Sequence, residues 1–114
     1  MENLALQKKA LQLRKDVARM IGVGKVGHLG GSCSLADIAT YLYYEEMKLD
    51  PRDPQMPDRD RFLLSKGHAA LIQYAALGDL GFYPQEEEST LKQLGSRLQG
   101  HPDLKKLPGI EANT

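Results

Sequence analysis

The run from Ala69 to Leu80 is apolar on every face, with only Gln73 and Asp79 interrupting alanine, leucine, isoleucine, tyrosine and glycine. A helix without a polar side has to be buried, so the rest of this 114-residue chain must be arranged around it. The residues just before it constrain the fold further. Arg61-Phe62-Leu63-Leu64-Ser65 is short, apolar at its centre and set between a polar loop and a glycine, the pattern of a strand buried on both faces. A strand, a turn at Gly67-His68 and a buried helix make half of a parallel α/β unit. Ligands of such sheets sit at the carboxyl ends of the strands, which is where His68 falls.

Around this unit the chain reads as helices and loops. Ala10, Leu13, Val17, Met20 and Ile21 recur at spacings of three and four and predict a helix over residues 4–21, stopped by Gly22 and Gly24. The glycine-rich stretch from Lys25 to Ser32 reads as a loop. A second helix is expected from near Ser34, with Asp37 in capping-box position, to about Met47. The three prolines and the charges of residues 50–58 mark a loop. Pro84 opens a further helix to about Leu94, with Glu86, Glu87 and Glu88 at its positive end as a solvated start. From Gly95 to Thr114 an extended loop follows. One strand cannot form a sheet, because its backbone groups need neighbours. The expected class is therefore α/β: a helix-rich, incomplete portion of a doubly wound parallel sheet, with further structure following Thr114 or lying beside it.

Charge and composition exclude several functions. Fifteen basic and fifteen acidic residues leave no net charge, which removes the electrostatic argument for nucleic acid or a membrane surface. No stretch approaches the roughly 20 apolar residues that span a bilayer, and residues 1–15 lack the apolar core of a secretory signal. Cys33 is the sole cysteine, so neither a disulfide framework nor a paired-cysteine metal site is available. A cytoplasmic setting is the expectation.

The three histidines, His28, His68 and His101, each stand beside a glycine. Glycine lets the backbone turn sharply and approach a ligand, so the arrangement suggests imidazoles delivered to one polar pocket. His68 is the strongest candidate. It lies near a helix N-terminus, where N–H groups and the helix dipole favour a phosphate or diphosphate. His28 reads equally as a surface or capping histidine and as a neutral imidazole for a polar ligand. His101, held extended by Pro102, is either a ligand contact or ordinary turn chemistry. The wide separation of the three argues against a metal site. Lys66 and Arg97 read as solvated cations, Cys33 as a small packed side chain, and Tyr41, Tyr43 and Tyr44 as packing on one helix.

Taken in order, four segments resemble the amino-terminal part of transketolase, a thiamine diphosphate enzyme. They are Gly27-His28-Leu29-Gly30-Gly31-Ser32, the run from Asp58 to Ala69, the run from Leu94 to Pro102, and Pro108-Gly109-Ile110-Glu111-Ala112-Asn113-Thr114. The resemblance covers nearly the whole chain, and its style is that of the amino-terminal subunit of split transketolases. It implies that residues 1–114 are the amino-terminal, truncated part of a thiamine diphosphate-binding domain. The implied reaction moves a two-carbon ketol unit from a ketose phosphate to an aldose phosphate. His68 matches a histidine on the cofactor diphosphate, while His28 and His101 match active-site histidines near the substrate and the thiazolium.

Two departures stand out. Leu29 occupies a place where the family often has proline. The magnesium-binding motif and the glutamate that activates the aminopyrimidine have no counterpart here, so the magnesium ligands are expected outside this chain. The implied partners are sugar phosphates and the remaining transketolase portions or a carboxyl-terminal subunit, in a homo- or hetero-oligomer. Alone the chain is expected to be inactive. The alternative is a non-catalytic binding or assembly module derived from the same fold.

Overall fold

A computed structural model describes residues 2–24 and 29–114 of the chain. Among the described residues there are three α-helices: α1 (Asn3–Gly24), α2 (Leu29–Tyr41) and α3 (Ala70–Leu80). A single π-helical turn, Leu42–Glu46, extends α2, and 3₁₀ turns occupy Gly67–Ala69 and Gln85–Thr90. No described helix is long and apolar enough to cross a membrane.

As its composition requires, α3 lies at the centre, with every residue from Ala70 to Gly78 buried. Helix α1 packs on it through Leu13, Val17 and Met20, the stripe set by the three-and-four spacing. Helix α2 turns small side chains inward, burying Ser32, Ala36, Ala39 and Thr40, which lets its backbone come close to its neighbours. Helix α3 ends in a Schellman motif: Gly81 adopts φ 97°, its N–H reaches Gly78 O, and the Phe82 N–H reaches Leu77 O at 2.9 Å.

Loops close the remaining sides. Gly109, at φ 94°, leaves room where a Cβ would stand 2.7 Å from Leu77 Cδ2. Arg59 donates two hydrogen bonds, of 2.7 and 2.8 Å, to Glu111, clasping the 50–60 loop to the carboxyl-terminal loop. Lys9, Gln12 and Tyr44 all donate to Asp79, joining α1 and the π turn to the end of α3.

Three expectations from the sequence are corrected. The second helix begins at Leu29, not near Ser34, so Gly30 and Gly31 are helical and Ser34 lies inside the helix. Its hydroxyl donates to Gly31 O instead of capping an N-terminus. The helix expected over residues 84–94 is only the 3₁₀ turn Gln85–Thr90. Ser89 and Thr90 hydroxyls take the carbonyls of Glu86 and Glu87, and Leu91, at φ −46° and ψ 127°, leaves the helical region. The strand expected over residues 61–65 is not formed: residues 61–64 take no regular secondary structure, no strand is present among the described residues, and only Leu64 of the segment is buried while Leu63 is exposed.

Candidate functional site

The 3₁₀ turn Gly67–Ala69 is the meeting point of the histidine-bearing segments. No side chain caps it, and the first amides of a helical turn have no partner inside it. His68 is exposed there. On one side lies the first turn of α2: a Cβ on Gly31 would stand 3.5 Å from His68 Nε2. On the other side lies the loop carrying His101: a Cβ on Gly67 would stand 2.7 Å from His101 Nδ1 and 2.6 Å from Thr114 O. Glycine at 67 is what lets these backbones come so close. His28 immediately precedes α2 in the sequence but lies outside the described residues.

The surrounding contacts hold this arrangement. Lys66 Nζ donates to Gly31 O and to Ser34 Oγ, both at 3.0 Å. Buried Ser32 donates to Ala69 O at 3.2 Å. These three bonds pin the start of α2 to the turn that carries His68. His101 Nδ1 lies 3.1 Å from the Thr114 carbonyl oxygen, an acceptor only, so Nδ1 carries the proton and donates. In the neutral ring Nε2 is then the bare acceptor. Thr114 N–H reaches Pro102 O at 3.4 Å, and the Leu104 N–H reaches Asn113 Oδ1 at 2.7 Å, so the two ends of the last loop lie side by side. Tyr74 of α3 donates to Gln99 O at 2.6 Å, anchoring this loop to the core.

Of the three expected site residues, the structure places His101 against Gly67, the residue before His68. The cations are committed elsewhere. Lys66 serves the α2 junction, and Arg97 donates to both carboxylate oxygens of Glu87, at 2.9 and 2.6 Å. That pairing holds the Glu87 carboxyl below its ordinary range. Ser32 and Lys66 were not legible as site residues, because their role is to hold backbone carbonyls of a distant segment. Cys33 is half-buried and unpaired in any disulfide. Of the tyrosines, Tyr43 is buried against Phe62 and takes a hydrogen bond from Gln73 at 2.9 Å. Among the described residues no group of three His, Cys, Asp or Glu side chains comes together to hold a metal.

An exposed imidazole on an uncapped turn, with Gly31 beside it and a second imidazole against the neighbouring Gly67, is a surface suited to a polyanionic ligand. In keeping with it, the chain belongs to the family of the transketolase thiamine diphosphate-binding domain, whose model matches residues 7–114. Among its relatives is the 6-deoxy-6-sulfo-D-fructose transketolase subunit SqwG of Clostridium sp. (strain MSTE9), 41% identical over 113 residues, covering 99% of this chain and 41% of that protein. An apulose-4-phosphate transketolase subunit of Phocaeicola vulgatus is 40% identical, covering 99% of this chain and 39% of its own length. The chain therefore spans about two-fifths of these relatives. Among solved structures, transketolase from Campylobacter jejuni superposes with a TM-score of 0.91 at 35% identity, covering 100% of this chain and 18% of that one. Transketolase from Leishmania mexicana gives 0.90 at 37% identity, over 96% of this chain and 16% of that one.

Proposed function

We propose that this chain forms one wall of the thiamine diphosphate site of a transketolase that moves two-carbon ketol units between sugar phosphates. The observation carrying the proposal is the packing of the Gly67-His68 turn between Gly31 and His101. In this reading the His68 imidazole and the amides of its turn donate to the cofactor diphosphate. His101 and His28 face the substrate, and the acceptor Nε2 of His101 takes or returns a hydroxyl proton. Thiamine diphosphate supplies the nucleophile and electron sink that this chain's side chains lack. The magnesium ligands lie outside residues 1–114, as does the activating glutamate, so activity requires a further segment or subunit. That portion also supplies the strands that pair with residues 61–64 to complete a doubly wound parallel sheet. The whole works in the cytoplasm as a homo- or hetero-oligomer.

The test is calorimetric titration of thiamine diphosphate and magnesium into this chain, alone and with the complementary portion. Binding confined to the mixture supports the reading. Failure to bind in a mixture shown to associate overturns it in favour of an assembly module. In the competent mixture His68→Ala should weaken cofactor affinity about ten- to a hundredfold, the loss of a hydrogen bond to a charged group. His101→Ala should instead lower turnover with the cofactor still bound; an unchanged kcat would remove His101 from the reaction.

A further inference from the structure

The acidic run at residues 86–88, read from the sequence as solvated, contains a carboxyl group that the proposed reaction does not use. Glu88 is buried, 6% exposed. Its Oε2 lies beneath α3, where a Cβ on Gly78 would stand 3.0 Å away. The same oxygen is 3.3 Å from the Tyr83 hydroxyl. That hydroxyl has one proton, and the Tyr74 carbonyl, which can only accept, takes it at 2.7 Å. With its proton committed to the shorter Tyr74 bond, the hydroxyl offers an ionised Glu88 only a long, shared contact, whereas a protonated carboxyl can donate to the phenol oxygen in full.

From α1, Asp16 and Arg19 face the same group. Asp16 is 3% exposed; Arg19 donates to its Oδ1, while its Oδ2 is buried without a hydrogen-bond partner. A second negative charge beside an oxygen in that state is unfavourable. Asp79 of α3 adds further negative charge, against Arg19 as the nearby cation, while Glu87 of the turn is paired with Arg97 and acts on Tyr83.

We infer that Glu88 is a proton-operated latch. Protonated, it docks the Gln85–Thr90 turn between α1 and α3; ionised, it releases that turn. The turn is tied onward to the loop of His101. Arg97 grips Glu87, Lys92 N–H reaches Leu98 O at 2.8 Å, and Thr90 and Ser96 hydroxyls pair at 2.8 Å. Releasing the turn thus loosens residues 91–98, up to the point where Tyr74 holds Gln99. The consequence for catalysis rests on the proposed function, whereas the latch itself does not.

Burial first, then the Asp16 charge, push the Glu88 carboxyl from 4.5 up to about 7, against the lowering effect of the Tyr83 hydroxyl. The sign follows from linkage. The docked state holds the proton and the released state gives it up, so release becomes more favourable as pH rises from about 4.5 to about 7 and levels off above.

Hydrogen exchange in the intact protein, without cofactor, reads the latch independently of activity. After correction for the intrinsic pH dependence of exchange, protection across residues 85–98 should fall about tenfold per pH unit over that window. Glu88→Gln, which keeps the shape of the protonated carboxyl, should abolish the slope. Asp16→Asn should move the plateau to lower pH. Carboxyl-carbon NMR of the unsubstituted protein is the second measurement, with Glu88 titrating near neutrality. A slope unchanged in Glu88→Gln would assign the transition to a different group and overturn the latch. So would a Glu88 carboxyl titrating in the ordinary carboxylate range.

Discussion

Glycine does two different jobs in this chain, and a single methyl group separates them. At Gly67 a Cβ would collide with the Thr114 backbone and stand 2.7 Å from His101 Nδ1, and backbone has little room to yield. Gly67→Ala should therefore push the His101 loop off the turn and destabilise the fold by about 1–3 kcal/mol, seen as a lower Tm and weaker cofactor binding together. Gly30 is the opposite case. Nothing lies within 4 Å of its Cβ position, and it sits inside α2. Gly30→Ala should raise stability by about 0.5 kcal/mol through helix propensity. If calorimetry on the complete enzyme shows cofactor affinity falling at the same time, the glycine is there for the ligand. The pair also explains a limit of reading by residue type. All glycines near a histidine look alike in a sequence, and only the contact made by the absent Cβ tells them apart.

At the scale of elements, what the sequence made legible was whatever depended on one element alone. The stripe of Leu13, Val17 and Met20 sufficed for α1, and the apolar circumference sufficed for α3. The start of α2 was not legible, because Gly30 and Gly31 belong in a loop by propensity. Their helical state is upheld from outside, by Lys66 on Gly31 O and Ser32 on Ala69 O. Lys66→Met should accordingly fray the first turn of α2, detected as faster amide exchange confined to that turn, while Lys66→Arg retains part of the protection. The shortened helix after Pro84 failed for a related reason: Ser89 and Thr90 capture its carbonyls, and Glu88 is drawn inward. Of the candidate site, the sequence singled out His68 and His101, and the structure sets His101 against Gly67 beside His68. The side chains that brace them were invisible because they act on backbone atoms some 35 residues away in sequence.

At the scale of the whole molecule, stability is shared between one apolar centre and a few ionic clasps at the rim. These respond to opposite ends of the pH range. Arg59 holds the Glu111 carboxyl below its ordinary range, although burial opposes this. A carboxyl lowered on folding stabilises above its unfolded value, and that contribution is lost as pH falls through the folded one. Asp79 behaves alike: burial would raise it, but the Tyr44 hydroxyl and the Lys9 ammonium together hold it low. Acid should thus loosen the 50–60 and 107–114 loops first, whereas the Glu88 turn loosens toward neutral pH. Melting curves across pH should show greatest stability on the mildly acidic side, and Glu88→Gln should extend that maximum upward.

The burial of α3 from Ala70 to Gly78 on every side also bears on how such a chain can change over generations. A helix with a solvent face carries positions where substitutions drift without consequence; this one has none. In a saturation library, tolerated replacements along α3 should be restricted to near-equal volumes, while the outer face of α1 accepts charge and size freely. The turn that presents His68 is joined directly to this least permissive stretch. Novelty in what the protein recognises therefore has to arise on the loops facing that turn, with the anchor beneath it held still.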